Sequence, residues 1–164
     1  MQIITIPKKR VKYLKDNLKI IENELLVSIK FKEDFIEIEG DEFKEYIAEK
    51  VIDAISRGFD VNASLKLTDE DNIVKTINLK DFLSDRLVKR QLGRIIGEKG
   101  KSKKIIEEEG KVNISIQEHE VSILGNFEDV EVAVNAIQKL INGTPHTNVF
   151  RYISEAQAKM SGKI

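Results

Sequence analysis

Apolar and polar positions along this chain write one pattern twice. Ile3-Ile4-Thr5-Ile6 predicts a short strand ended by Pro7, whose ring fixes φ and drives the preceding residue into an extended conformation. Lys8 to Lys15 puts Val11 and Leu14 on one helical face, and Leu18-Lys19-Ile20-Ile21-Glu22 starts another helix. Val27, Ile29 and Phe31 alternate as a strand, Lys32-Glu33-Asp34 turns the chain, and Phe35-Ile36-Glu37-Ile38 returns as a second strand ending at Gly40. Phe43, Ile47, Val51, Ile52 and Ile55 then mark a long amphipathic helix that stops at Gly58.

A displacement of 85 positions brings the pattern back. Lys19-Ile20-Ile21-Glu22 falls on Lys104-Ile105-Ile106-Glu107, and Val27, Ile29 and Phe31 fall on Val112, Ile114 and Ile116. Ile36, Ile38 and Gly40 meet Val121, Ile123 and Gly125, while Gly58 meets Gly143, with no gap. A repeat of this length predicts two copies of a small domain. The copies differ at one place. Val11 and Leu14 match Leu92 and Ile95 only at a displacement of 81, so the first copy is four residues shorter. The shortfall falls where Gly97-Glu98-Lys99-Gly100 stands in the second copy, and its counterpart Lys15-Asp16-Asn17-Leu18 has no glycine. These landmarks divide the chain into a first copy over residues 1–60, a connecting segment over 61–72, a second copy over 73–143 and a tail helix over 144–164.

Composition narrows the class. The 164 residues are 41% apolar and 34% charged, as expected of a folded, soluble chain. No apolar run approaches the roughly 18 residues that span a bilayer, so no membrane partner is expected and the expected location is cytoplasmic. Lack of cysteine excludes disulfides and thiolate metal sites. His119 and His146 stand far apart without a motif and read as surface residues, so neither a metal site nor a cofactor is expected. Glu107-Glu108-Glu109 occupies successive helix positions, which point in different directions and do not converge on a metal. With no Ser/His/Asp set and no nucleotide-phosphate loop, the chain reads as a binder rather than an enzyme.

Charge identifies where it binds. The chain sums to −1, yet residues 86–104 hold eight basic side chains against the single acid Glu98, a local balance of +7 that leaves −8 for the rest. Residues 8–19 hold six bases against Asp16, a weaker echo that is equally well read as a solvated helix. In the second copy the basic stretch encloses Gly97 and Gly100, where the missing Cβ lets another chain approach the backbone. Ile105 and Ile106 resume the helical pattern after the loop, and the first amides of such a helix attract anions. Two glycines three apart would by themselves be an ordinary surface loop. Their flanks change that reading.

An apolar pair before Gly97, a basic residue between the glycines, and lysines with an Ile-Ile pair after Gly100 resemble the Ile-Gly-x-x-Gly signature of KH domains. The following strands and the helix from about Glu128 to Asn142 keep that family's order. The resemblance implies an α+β fold of two tandem type I KH domains, each a three-stranded antiparallel sheet with helices packed on one face, the first lacking the GxxG loop. Gly93-Arg94-Ile95-Ile96-Gly97, Ser122-Ile123-Leu124-Gly125, Leu140 to His146 and Ala54 to Phe59 together resemble the KH-domain ribosome-assembly factors known in eukaryotes as partner of Nob one, with their archaeal relatives. Archaeal relatives often keep an intact loop in the first copy, and its loss here is a departure.

That resemblance implies binding of single-stranded RNA near the 3′ end of small-subunit ribosomal RNA. The implied protein partners are the endonuclease that trims that end and the alpha subunit of initiation factor two. Carried residue by residue, the implied site is Gly97 and Gly100 admitting the RNA backbone and the amides from Glu98 to Lys101 facing phosphates. Arg90, Arg94, Lys99, Lys101 and Lys104 would supply charge, with Ile96 and Ile114 as apolar groove walls. The alternatives are a general KH adaptor for mRNA decay or single-stranded DNA, and a protein scaffold with a vestigial loop.

Overall fold

Alternating β-branched runs need partners for their backbone amides, and in this chain they find them in two separate sheets. The computed structural model describes residues 1–162, so the last two residues of the expected tail lie outside the described residues. The chain divides into two units, one ending at Glu70 and the other starting at Asp71.

In the first unit β1 (Gln2–Ile4), β2 (Ser28–Phe31) and β3 (Ile36–Glu39) form an antiparallel sheet in the order β1-β3-β2. Register sets Ile4 opposite Ile36 and Ile29 opposite Ile38. Around it lie α1 (Lys8–Asp16), α2 (Leu18–Leu25) and α3 (Glu42–Ser56). Leu14, Ile21, Ile38, Val51 and Ile55 are fully buried. The short α4 (Val61–Leu65) follows, started by Asp60, whose carboxylate accepts from the Ala63 amide at 2.7 Å.

The second unit repeats the order with β4 (Asn72–Asn78), α5 (Asp85–Ile96), α6 (Lys101–Gly110), β5 (Asn113–Gln117), β6 (Glu120–Asn126) and α7 (Phe127–Ile141). Its antiparallel sheet runs β4-β6-β5. Pro145 then starts α8 (His146–Met160), its carbonyl accepting from Asn148 and Val149. Val149 and Ile153 of this tail helix are fully buried in one core with Ile95, Ile106, Ile123 and Leu140. The tail therefore completes the second core. Each unit thus has three antiparallel strands with helices packed against them, the architecture that the resemblance to tandem type I KH domains implies.

The duplication reaches backbone detail. Leu26 and Lys111, 85 apart, both end their helix with a left-handed φ, of 56° and 57°. Glu22 and Glu107 each close the next connection, accepting from the Ile29 amide at 2.9 Å and the Ile114 amide at 3.0 Å. Both α3 and α7 stop in a Schellman motif. Gly58 and Gly143 adopt φ of 104° and 95°, and the amides of Phe59 and Thr144 reach back to the carbonyls of Ala54 and Lys139.

An arginine then seals each of these ends. Arg10 donates to the carbonyls of Ile55 and Phe59 at 2.8 and 2.9 Å. Arg94 donates to Leu140 and, at 3.0 Å, to Thr144. Cations are favourable at a helix C-terminus, where carbonyls lack internal partners. These two arginines make the same pair of contacts from slightly different places on α1 and α5.

Candidate nucleic-acid interface

Between α5 and α6 the chain spends four residues, Gly97 to Gly100, three of them at positive φ: Gly97 at 75°, Lys99 at 53° and Gly100 at 76°. The Gly97 amide closes α5 onto the Gly93 carbonyl at 2.8 Å, and the Gly100 amide turns back onto the Gly97 carbonyl at 3.2 Å. The two glycines are required for different reasons. A Cβ on Gly97 would lie 2.6 Å from Ser102 Cβ and 2.8 Å from its amide nitrogen, so the loop could not close over α6. A Cβ on Gly100 would meet nothing within 4 Å, although its φ disfavours other residues. Gly100 keeps an open space beside the backbone at the point where α6 begins.

The surrounding charge is accessible. Arg90, Lys99 and Lys101 are exposed and form no ion pair among the described residues. Lys104 stands 4.0 Å from Glu108, but both are well exposed and such a pair contributes little. Glu98, the one acid of the loop, is also exposed. Arg94 differs from the others. Its charge stays near the loop, but its guanidinium is engaged on the carbonyls that end α7.

Apolar groups divide as well. Ile96 is half-buried immediately before Gly97. Ile114, the other expected groove wall, is only 4% exposed and belongs to the core. Ile116, two residues along the same face of β5, remains half-buried where coverage of the sheet thins.

His146 is the residue that sequence reasoning missed. Its Nε2 lies 2.9 Å from the Arg94 carbonyl. Since a carbonyl can only accept, Nε2–H is the donor, which holds the first residue of α8 against the end of α5. Neither histidine had a local motif to reveal this; the only hint was its place directly after Thr144-Pro145.

The first unit has no counterpart to this loop. Asn17 alone joins α1 to α2: its amide bonds Tyr13 and Leu14 carbonyls, both at 3.2 Å, and its side chain bonds Tyr13 again at 2.9 Å. What it retains is an open hollow of about 470 Å³ with Val11, Lys15, Phe31 and Phe35 among its walls. Lys15 Nζ stands 5.2 Å above the Phe31 ring there. Among the described residues, no three His, Asp or Glu side chains could together hold a metal, and no helix is long and apolar enough to cross a membrane.

Residues 73–158 match the family described as eukaryotic-type KH-domain, KH-domain type I. A KH domain-containing protein of Methanocaldococcus jannaschii is 32% identical over 171 residues, spanning 98% of this chain and 75% of that one. The pre-rRNA-processing protein pno1 of Schizosaccharomyces pombe is 30% identical over 116 residues, which is 69% of this chain and 48% of the relative. The chain thus spans about half the length of the fungal protein. Among solved structures, a chain in the a/eIF2alpha-aDim2p-rRNA complex from Pyrococcus horikoshii superposes with a TM-score of 0.85 at 31% identity, covering 96% of this chain and 94% of its own.

Proposed function

The chain belongs to the eukaryotic-type, type I KH-domain family, and on that premise we propose that it is a single-stranded RNA-binding protein of small ribosomal subunit assembly. It binds near the 3′ end of small-subunit ribosomal RNA through its second unit. The observation that carries this reading is the Gly97-to-Gly100 loop, with both glycines at positive φ, open space beside Gly100, and exposed cations around it. Pre-rRNA processing by the fungal relative and the rRNA in the archaeal complex support the choice of RNA.

In mechanism, the sugar-phosphate backbone lies along the loop. Amides from Glu98 to Lys101 face phosphates, and Arg90, Lys99, Lys101 and Lys104 neutralise them, while Arg94 contributes field rather than direct donors. Bases rest against Ile96, with Ile116 taking the wall position expected of Ile114. No bond is made or broken; the protein acts by holding the strand. The first unit, through residue 60, serves as a KH domain without a clamp, followed by a connecting segment to residue 72 and the binding domain from residue 73. By the same reading its protein partners are the endonuclease that trims the 3′ end and the alpha subunit of initiation factor two, the latter supported by the composition of the archaeal complex.

The test compares ribosomal 3′-end RNA with a scrambled strand, using wild type and Gly100→Asp. Four clamped nucleotides predict that log affinity falls with log salt at a slope of about −2 to −3. Equal affinity for both strands would favour a general adaptor. Unchanged RNA affinity in Gly100→Asp would leave the loop vestigial and the proposal refuted.

A further inference from the structure

Beside the loop lies a second feature, a hollow of about 280 Å³ between the start of α6 and the start of α8. Gly97, Glu98, Ser102, Ile105, His146 and Phe150 are among its walls. We infer that this hollow receives one further nucleobase of the strand held by the loop, stacked on the tail helix. The inference rests on the clamp reading above and extends it beyond the minimal repeat, since α4, which starts 85 residues before α8 in the first unit, stops at Leu65 and carries no aromatic ring.

Size, chemistry and continuity select this occupant. The volume falls below the roughly 300–1,000 Å³ of pockets for drug-sized ligands and suits a single planar ring system. His146 and Phe150 are one helical turn apart and share a face, with ring centroids 6.0 Å apart and planes inclined by 58°. Neither ring therefore covers the other as a parallel stack would, and a base can lie on one and abut the other. The bond from His146 to the Arg94 carbonyl holds its ring in place before any ligand arrives.

Polar groups agree. The Ser102 side chain is 4% exposed and its hydroxyl has no hydrogen-bond partner. Buried hydroxyls ordinarily have one, and the edge of a base carries both donors and acceptors. Glu98 repels a phosphate from the hollow itself, whereas Lys101, exposed and also on its wall, suits the phosphate that joins this base to the rest of the strand. Because Gly97 belongs to both loop and hollow, the two are continuous for a strand leaving the clamp. Aromatic platforms of this kind hold bases with little regard to sequence.

The experiment places 2-aminopurine at each position in turn along a ribosomal 3′-end oligonucleotide and measures its quenching on the full chain. Wild type should quench one position just outside the four clamped nucleotides. Phe150→Leu, which keeps the apolar packing of α8, should relieve that quenching and weaken the extended strand roughly 5- to 150-fold, the range of stacking on one aromatic. Binding of a four-nucleotide strand should not change. Quenching at no outside position, quenching that survives Phe150→Leu, or equal weakening of the four-nucleotide strand would each overturn the inference. Gly100→Asp separates it from its premise. If that variant keeps the four-nucleotide strand, clamp and hollow fall together; if it releases that strand while Phe150→Leu binds the extended one like wild type, only the hollow falls.

Discussion

The two units share a fold to the level of single backbone angles and differ in how two helices are joined. In the first, Asn17 folds its own side chain and amide onto the preceding turn, so the junction satisfies itself. In the second, four residues with three positive φ values hold the chain away from such closure and leave space beside Gly100. A KH fold and a KH clamp are therefore separable. Sheet, core, Schellman ends and arginine seals persist in the unit without the loop, so none of them depends on the loop.

The largest effect that would test this contrast comes from placing the same negative charge at the two junctions. Gly100→Asp should weaken RNA about 150-fold, the equivalent of two charge-assisted hydrogen bonds at about 1.5 kcal/mol each. Asn17→Asp should change RNA affinity by less than about twofold, since that junction closes on itself and leaves no glycine backbone open to a phosphate. A comparable loss in both variants, measured by fluorescence anisotropy, would mean that the first unit also grips the strand.

Next in size are the arginine seals. Arg10→Met and Arg94→Met should each lower stability by about 1.5–3 kcal/mol, the range for hydrogen bonds from charged groups, as read from urea unfolding. Similar losses would confirm that the two seals are equivalent. Arg94→Met should leave the salt slope of RNA binding unchanged, because its donors already serve α7. A reduced slope would show that Arg94 also meets phosphate.

The smallest effect concerns single lysines. Lys101→Gln should lower the slope by about 0.7, one phosphate's worth, while Lys15→Gln should leave it where it was. Lys15 stands over the Phe31 ring in the hollow of the first unit. A change there would reveal a second electrostatic contact.

Much of this architecture was legible in the sequence, because period and repeat are local properties. The 85-residue displacement located equivalent helices, and the missing glycines located the one junction that differs. Side-chain destinations were less legible. Alternation places Ile114 and Ile116 on one face but does not say which of them the helices cover. Arg94 reads in the sequence as charge beside the loop, and its partners, 46 and 50 residues away, are not visible there. His146 carried no motif because its meaning lies in a contact 52 residues distant.

The unequal surroundings of Gly97 and Gly100 imply that a randomised library would sort them by separate sieves. Almost every replacement at position 97 should vanish in a screen for folded protein, since the backbone of Ser102 occupies the volume a side chain needs. Many replacements at position 100 should pass that screen and disappear only when survivors must also hold RNA. Two positions three residues apart would thus report, one on shape and the other on purpose.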